Sequence, residues 1–464
     1  MEETEEMTKT SGINIREISL EVLIKVLEEG EYSSAVLQKV LTTYQYLEKQ
    51  ERAFLSRLCE GTIERALELD YIINQFSKVK VKKMKPVIRN ILRMGVYQMK
   101  YMEQVPDSAA CNEAVKLAQK KGFHNLKGFV NGVLRNIGRN MDKISYPSME
   151  KQPKEYLSVT YSTPEWIVEK WIAEYGFDIT KKMLEASMEE KSTSIRCNTK
   201  KISVEQLKAK LEAEGVTVED GNYVDTALSI TDYNYLNKLE SFQNGYFTVQ
   251  DESSMMVALA AGVDKGDTVV DVCAAPGGKS LHVAELLVDS GLVSARDLTE
   301  RKVNLIEENI KRLGFTNVQA KVQDALCLDE EFVEKADVVI ADLPCSGLGV
   351  IGKKTDIKYK ATEQGLKDLE KLQRDILKVV SSYVKPGGTL IYSTCTVNPR
   401  ENEENAIWFQ ENFPFELESL DAFLPETVQN ENTKKGYIQF FPGIHKTDGF
   451  FLARFRNSSH TCEL

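Results

Sequence analysis

Residues 268–280 read TVVDVCAAPGGKS. The run begins with the β-branched, apolar residues of a buried strand and ends where the helical pattern SLHVAELLV (280–288) starts. Gly277 and Gly278 lie between the two. A strand that turns through glycines into a helix is the opening unit of an open α/β sheet, and such sheets bind ligands at the carboxyl ends of their strands. The glycines allow close backbone approach, and the helix start favours a polar or anionic group.

The same build recurs downstream. LVSARD (292–297), DVVIAD (337–342) and GTLIYSTC (388–395) are β-rich runs of strand length. Between them lie the helical patterns RKVNLIEENIKRLG (301–314) and EKLQRDILKVVSSYV (370–384). Such alternation implies right-handed crossovers and a mostly parallel sheet, so residues 241–464 read as a Rossmann-like α/β domain.

Upstream the texture changes. Residues 11–145 read as an all-α bundle: Ile18, Val22, Leu23, Val26 and Leu27 share one helix face, and Pro86 suits the first turn of a helix carrying Ile88, Ile91, Leu92 and Val96. Residues 146–240 read as a small α+β subdomain, with a helix after Thr163, a short strand at SIRCNTK and a helix ended by Gly215. Residues 1–10 read as an acidic tail. The expected architecture is thus a multidomain chain of helical bundle, small α+β subdomain and α/β domain.

Composition is that of a soluble protein, 42% hydrophobic and 28% charged. No apolar run approaches the ~20 residues that cross a bilayer. The N-terminus is acidic and polar, unlike a signal or transit peptide. Eight scattered cysteines suggest reduced thiols rather than a disulfide framework, and four histidines give no zinc pattern. A cytoplasmic monomer without metal or membrane attachment is expected. The net charge of −11 disfavours a nucleic-acid partner, but residues 51–143 hold eighteen Lys or Arg against nine Asp or Glu, a local balance of +9. A nucleic-acid footprint is a local basic surface. Lys80, Lys82, Lys83 and Lys85 fall in one short segment suited to phosphates, or to plain solvation.

The glycine loop admits several cofactors. A phosphate-binding loop needs G-x-x-x-x-G-K-[ST]; Gly278, Lys279 and Ser280 fit its end, but Cys273 stands at the first glycine. The dinucleotide pattern G-x-G-x-x-G is absent. Asp297 ends the second strand and Asp324 follows the third. Acids at successive strand ends accept hydrogen bonds from a ribose and its neighbours, which favours an adenosine-bearing cofactor. Two further strands end in thiols, at ADLPCSGLGV (341–350) and IYSTCTVNPR (391–400). Buried cysteines are commonly inert, but Cys345 and Cys395 sit at neighbouring strand ends among turn residues.

Taken together, CAAPGGK (273–279), DLPCSGLG (342–349) and YSTCTVNPRENE (392–403) resemble the RNA cytosine-5 methyltransferases that use S-adenosyl-L-methionine. The stretches 57–76, 91–118 and 128–137 resemble the helical RNA-binding domain of NusB-type antitermination factors. That fusion is characteristic of the RsmB/Sun/Fmu family of 16S ribosomal RNA methyltransferases, and the resemblance spans residues 13–456. It implies that Cys273, Ala274, Ala275, Pro276, Gly277, Gly278 and Lys279 wrap the methionine part of the cofactor. It implies further that Asp297 holds the ribose, that Asp324 lies beside the adenine, and that Arg301 belongs with them. Asp342 would lie between cofactor and cytosine, Cys395 would be the nucleophile, and Cys345 would assist product release. Arg196 and Asn198 match a polar strand pattern that would face RNA. The chain departs from the family at Gly352, Thr355 and Thr163, which touches RNA contact rather than chemistry.

The implied chemistry accounts for two thiols. Carbon-5 of cytosine is a poor nucleophile; a thiolate added to carbon-6 makes the ring an enamine that accepts a methyl group at carbon-5. The carbon-5 proton must then leave and the first thiol must be expelled, where a second thiol helps. A transfer-RNA methyltransferase shares these motifs, and a non-catalytic RNA-binding protein is a further alternative; only the N-terminal module points to 16S rRNA.

Overall fold

The computed structural model describes residues 14–189 and 192–459; the expected tail over residues 1–10 lies outside them. The chain forms two compact units. One holds the chain up to Met188 together with Ile351–Lys360, and the other holds Glu189–Val350 and Ala361 onward.

The first unit is helical. Helix Ile15–Leu27 begins at Asn14, whose side chain accepts the backbone N–H groups of Arg16 at 3.0 Å and Glu17 at 3.2 Å. It buries Ile18, Val22, Leu23 and Val26, four of the five residues of the expected face. Helix Pro86–Tyr101 starts on its proline and buries Ile88, Ile91, Leu92 and Val96. These side chains share one core with Leu58, Leu69 and Leu134, each large aliphatic contributing about 1.5–3 kcal/mol on burial.

Helices Pro153–Thr160, Glu165–Tyr175 and Phe177–Ser187 join this unit, whereas the sequence reading placed them with the α+β subdomain. One tie is Ser162 Oγ, which accepts the N–H groups of Leu67 at 3.0 Å and Glu68 at 3.2 Å, at the start of helix Ala66–Phe76. Segment Ile351–Lys360 belongs here too. Its Asp356 accepts Ser33 N–H and O–H at 3.1 and 2.6 Å, and Tyr359 O–H donates to Glu64 O at 2.8 Å.

The second unit holds two sheets. The smaller comprises β1 (Thr193–Cys197), β2 (Thr217–Asp220), β3 (Ala227–Thr231) and β4 (Phe247–Val249) in the order β2-β3-β1-β4, all antiparallel. The larger comprises β5 (Thr268–Asp271), β6 (Leu292–Asp297), β7 (Val318–Val322), β8 (Ala336–Asp342), β9 (Val384–Thr394), β10 (Phe415–Leu417), β11 (Tyr437–Phe440) and β12 (Phe450–Asn457). Its order is β10-β12-β9-β8-β5-β6-β7, with β11 also on β12. Strands β9 to β7 run parallel, while β12 is antiparallel to β9, β10 and β11. Val270, Val339, Leu390 and Tyr392 pack on one face of this sheet with Phe409 and Phe455; Val269, Val338, Ile340 and Ile391 pack on the other with Met255 and Leu281. Burial on both faces produces the near-continuous apolar runs of these strands. The carboxyl ends of β5, β6, β7, β8 and β9 therefore lie side by side. Among the described residues, no helix is long and apolar enough to cross a membrane.

Candidate active site

After Asp271 ends β5, the chain turns through Cys273–Gly277 and enters helix Gly278–Leu286. Gly277 has φ +105°, a conformation that disfavours side chains, and its carbonyl accepts Leu281 N–H at 2.9 Å. The turn is fastened to β6. Ala274 N–H donates to Arg296 O at 2.7 Å, and Ala275 N–H to Asp297 Oδ2 at 3.0 Å. Asp297 also accepts Leu298 N–H at 2.8 Å and the ammonium of Lys302 at 2.9 Å. Beneath the turn, burial pushes the Asp271 carboxyl up to about 7, while Ser280 O–H donates to it at 2.5 Å.

The surroundings fit an adenosine-bearing cofactor. A Cβ placed on Gly278 would find no atom nearer than 3.7 Å, on Gln250. The buried Gln250 Nε2 beside it has no partner. Leu298, directly after Asp297, and Leu326, two residues after Asp324, remain 58% and 44% exposed although apolar. Asp324 Oδ1 accepts Leu326 N–H at 2.9 Å. Lys302, not Arg301, makes the ion pair with Asp297; Arg301 lies exposed in the first turn of helix Glu300–Leu313.

Strands β8 and β9 bring the remaining groups together. Asp342 pairs in register with Ser393, whose O–H donates to Asp342 Oδ1 at 2.8 Å. The other carboxylate oxygen meets Lys279 Nζ at 2.7 Å. Burial pulls the Lys279 ammonium down, but the charge of Asp342, joined by Asp271 and Cys395, holds it above its ordinary value. Just beyond the strand ends, Cys345 Sγ and Cys395 Sγ are 3.2 Å apart. Both are half-buried. The Cys345 thiol is held well above its usual range by its hydrogen bond to Cys395, then by burial and by the negative charges of Cys395 and Glu401. Cys273 is likewise pushed up, by burial and then by Asp271, Asp297 and Asp342, so it remains a neutral thiol.

Two expected RNA contacts are corrected. Arg196 is buried at 2% exposure. Its Nε donates to Gln250 Oε1 at 2.9 Å, and its guanidinium pairs with Glu285. Asn198 is also buried, donating to Gly245 O at 2.9 Å and Leu313 O at 3.0 Å. Both side chains fasten the smaller sheet to helices of the larger one. The four lysines of the basic segment are exposed, Lys82 and Lys83 in the short turn Val81–Lys83. Among the described residues, no group of three or more His, Cys, Asp or Glu could hold a metal ion. Sequence reasoning missed Lys302 and the side chains that bind the two thiol loops together, notably Glu401.

A family model described as 16S rRNA methyltransferase RsmB/F matches residues 257–456. The NusB family matches residues 13–139, and the ferredoxin-like domain of RsmF/B-like methyltransferases matches residues 163–234. The chain is 39% identical over 455 residues to a probable ribosomal RNA small subunit methyltransferase B of Bacillus subtilis (strain 168), covering 97% of this chain and 99% of that one. A protein so described from Synechocystis is 31% identical, covering 96% and 100%. The crystal structure of PH0851 superposes with a TM-score of 0.80 at 27% identity, covering 96% of this chain and 99% of its own.

Proposed function

We propose that this chain, which belongs to the RsmB/F family of 16S rRNA methyltransferases, methylates carbon-5 of a specific cytosine in 16S ribosomal RNA through a covalent cysteine–cytosine adduct. Its cofactor is S-adenosyl-L-methionine, which supplies the methyl group. The loop Cys273–Lys279 holds the cofactor's methionine part, Asp297 its ribose and Asp324 the neighbourhood of its adenine.

The observation that carries the reading is the pair of thiols 3.2 Å apart beyond the ends of β8 and β9, next to Asp342 and Lys279. Cys395 adds its sulfur to carbon-6 of the ring. The Lys279 ammonium favours the thiolate that this addition needs. Asp342, oriented by Ser393 and Lys279, meets ring nitrogen-3 and, in its carboxylic-acid form, donates a hydrogen bond that offsets the negative charge forming there as the thiolate adds. After methylation the carbon-5 proton leaves and the sulfur–carbon-6 bond breaks. Cys345 assists that step. Its thiol, held protonated by the hydrogen bond to Cys395, by burial and by the negative charges of Cys395 and Glu401, gives its proton to the departing Cys395 sulfur and takes up the carbon-5 proton in its place.

A base within a duplex is out of reach of strand-end thiols, so the target cytosine is looped or flipped out. The helical unit supplies RNA affinity through exposed lysines such as Lys80, Lys82, Lys83 and Lys85. Bisulfite sequencing of ribosomal and transfer RNA, with and without the protein, tests the assignment. One protected cytosine in 16S rRNA is expected. Protection confined to transfer RNA would move the substrate, and no protected cytosine anywhere would contradict the reaction.

A further inference from the structure

The residues that follow the two thiols are also bonded to each other. Ser346 comes after Cys345 and Thr396 after Cys395, and their hydroxyl oxygens lie 2.7 Å apart. Ser346 O–H donates to Glu401 Oε1 at 2.6 Å, so Thr396 O–H donates to Ser346. Glu401 is fully buried, in the turn that follows β9. Its Oε1 also accepts Asn398 Nδ2–H at 2.9 Å. Its Oε2 accepts Ser346 N–H at 2.9 Å and Gln373 Nε2–H at 3.0 Å. Gln373 Nε2 donates as well to Pro344 O at 2.9 Å, on the other side of Cys345.

Four donors thus fill the four acceptor positions of one carboxylate, two on each oxygen. Two donors come from the loop of Cys345, one from the loop of Cys395 and one from helix Glu363–Val380. An amide of the same shape would turn an NH2 group toward two donors. The site therefore requires a carboxylate for a reason beyond packing.

We propose that Glu401 is the positioning residue of the thiol pair: its carboxylate locks the loop of Cys345 to the loop of Cys395 and so sets the separation of their sulfurs. This deepens the two-thiol reading above and rests on it for its catalytic meaning. The separation itself is independent of that reading.

A trivalent arsenical tests the separation without RNA or cofactor. Phenylarsine oxide condenses with two thiols, forming two As–S bonds and releasing one water, with no change of oxidation state. The two close sulfurs should chelate one phenylarsenic group that survives a monothiol wash and leaves with a dithiol, read by mass spectrometry of the intact chain. Cys395→Ser should abolish it. Glu401→Gln should lose the group to monothiol about tenfold faster or more, because the second sulfur's effective concentration falls. In the same variant kcat for methyl transfer should drop roughly a hundredfold with KM unchanged, and cofactor affinity by calorimetry should stay at the wild-type value. Ser346→Ala should fall between, since Ser346 N–H still meets Glu401.

Wild-type chelation, kcat and cofactor affinity in Glu401→Gln would overturn the proposal, as would a wild-type chain that fails to chelate. Should Glu401→Gln not fold, the double variant Ser346→Ala with Thr396→Val removes the hydroxyl link and is judged by the same readouts. If the wild type chelates, Glu401→Gln does not, and neither transfers a methyl group to RNA, the positioning role stands and the proposed reaction falls.

Discussion

Lys279 Nζ lies 2.7 Å from Asp342 Oδ2, joining the helix that follows β5 to the carboxyl end of β8. The Lys279 ammonium also feels the charge of Cys395. Lys279→Met should lower kcat for methyl transfer by roughly 10²–10³, the loss seen when an oriented donor is removed from a developing charge. It should also slow alkylation of Cys395 by iodoacetamide at neutral pH. Equal alkylation rates in the two proteins would detach Lys279 from the activation of Cys395.

Gly278 tests the cofactor loop. The protein itself has room for a side chain there, its nearest atom being 3.7 Å from an added Cβ. Gly278→Val should therefore keep its unfolding midpoint while S-adenosylmethionine affinity falls by about tenfold or more, some 1.4 kcal/mol. Unchanged affinity in calorimetry would take the loop out of the site.

The basic segment tests the helical unit. Replacing Lys80, Lys82, Lys83 and Lys85 by Ala should weaken RNA binding and flatten its salt dependence, by about 0.7–0.9 in log–log slope for each lysine that meets a phosphate. Cofactor affinity should not move. An unaltered slope would mark the run as solvated surface.

Lys358 supplies a pH test in the helical unit. It is buried at 2% exposure, and burial pulls its ammonium down to about 7, against weaker pulls from Glu64 and Glu68. Below about pH 7 the folded and unfolded chains both hold the proton, and the full cost of the buried charge is present. Between about 7 and the ordinary lysine value the unfolded chain holds a proton that the folded one has released, so stability rises with pH. Lys358→Met should stabilise the protein by roughly 1–4 kcal/mol at pH 7. That advantage should shrink as pH rises toward 10 in urea titrations; a constant difference would contradict the assignment.

The strand ends were legible because burial on both faces forces apolar runs, which made Asp297, Asp342 and Cys395 countable positions. The glycine turn was legible from Gly277, whose φ of +105° few other residues adopt. Arg196 was not. A cation on a short strand reads as surface, yet Glu285 and Gln250 lie 89 and 54 residues away and bury it. The packing of the helices around Thr163 on the helical unit is not legible in the sequence, because the tie from Ser162 to Leu67 spans 95 residues. Glu401 stood inside a recognised motif, but only the fold places it beside Ser346, 55 residues earlier. Local periodicity carries no record of such long-range pairings.

The order of action of the two thiols tests the central claim most directly. Each of Cys345→Ala, Cys395→Ala and the double variant is incubated with 16S rRNA and labelled S-adenosylmethionine, then resolved by denaturing electrophoresis. Cys345→Ala should attack through Cys395, transfer the methyl group and stall, so that a labelled covalent protein–RNA complex accumulates. Cys395→Ala and the double variant should give no complex and no methylated RNA. A complex in Cys395→Ala instead would reverse the two roles, and methyl transfer by both single variants with no trapped RNA in either would contradict the two-thiol mechanism.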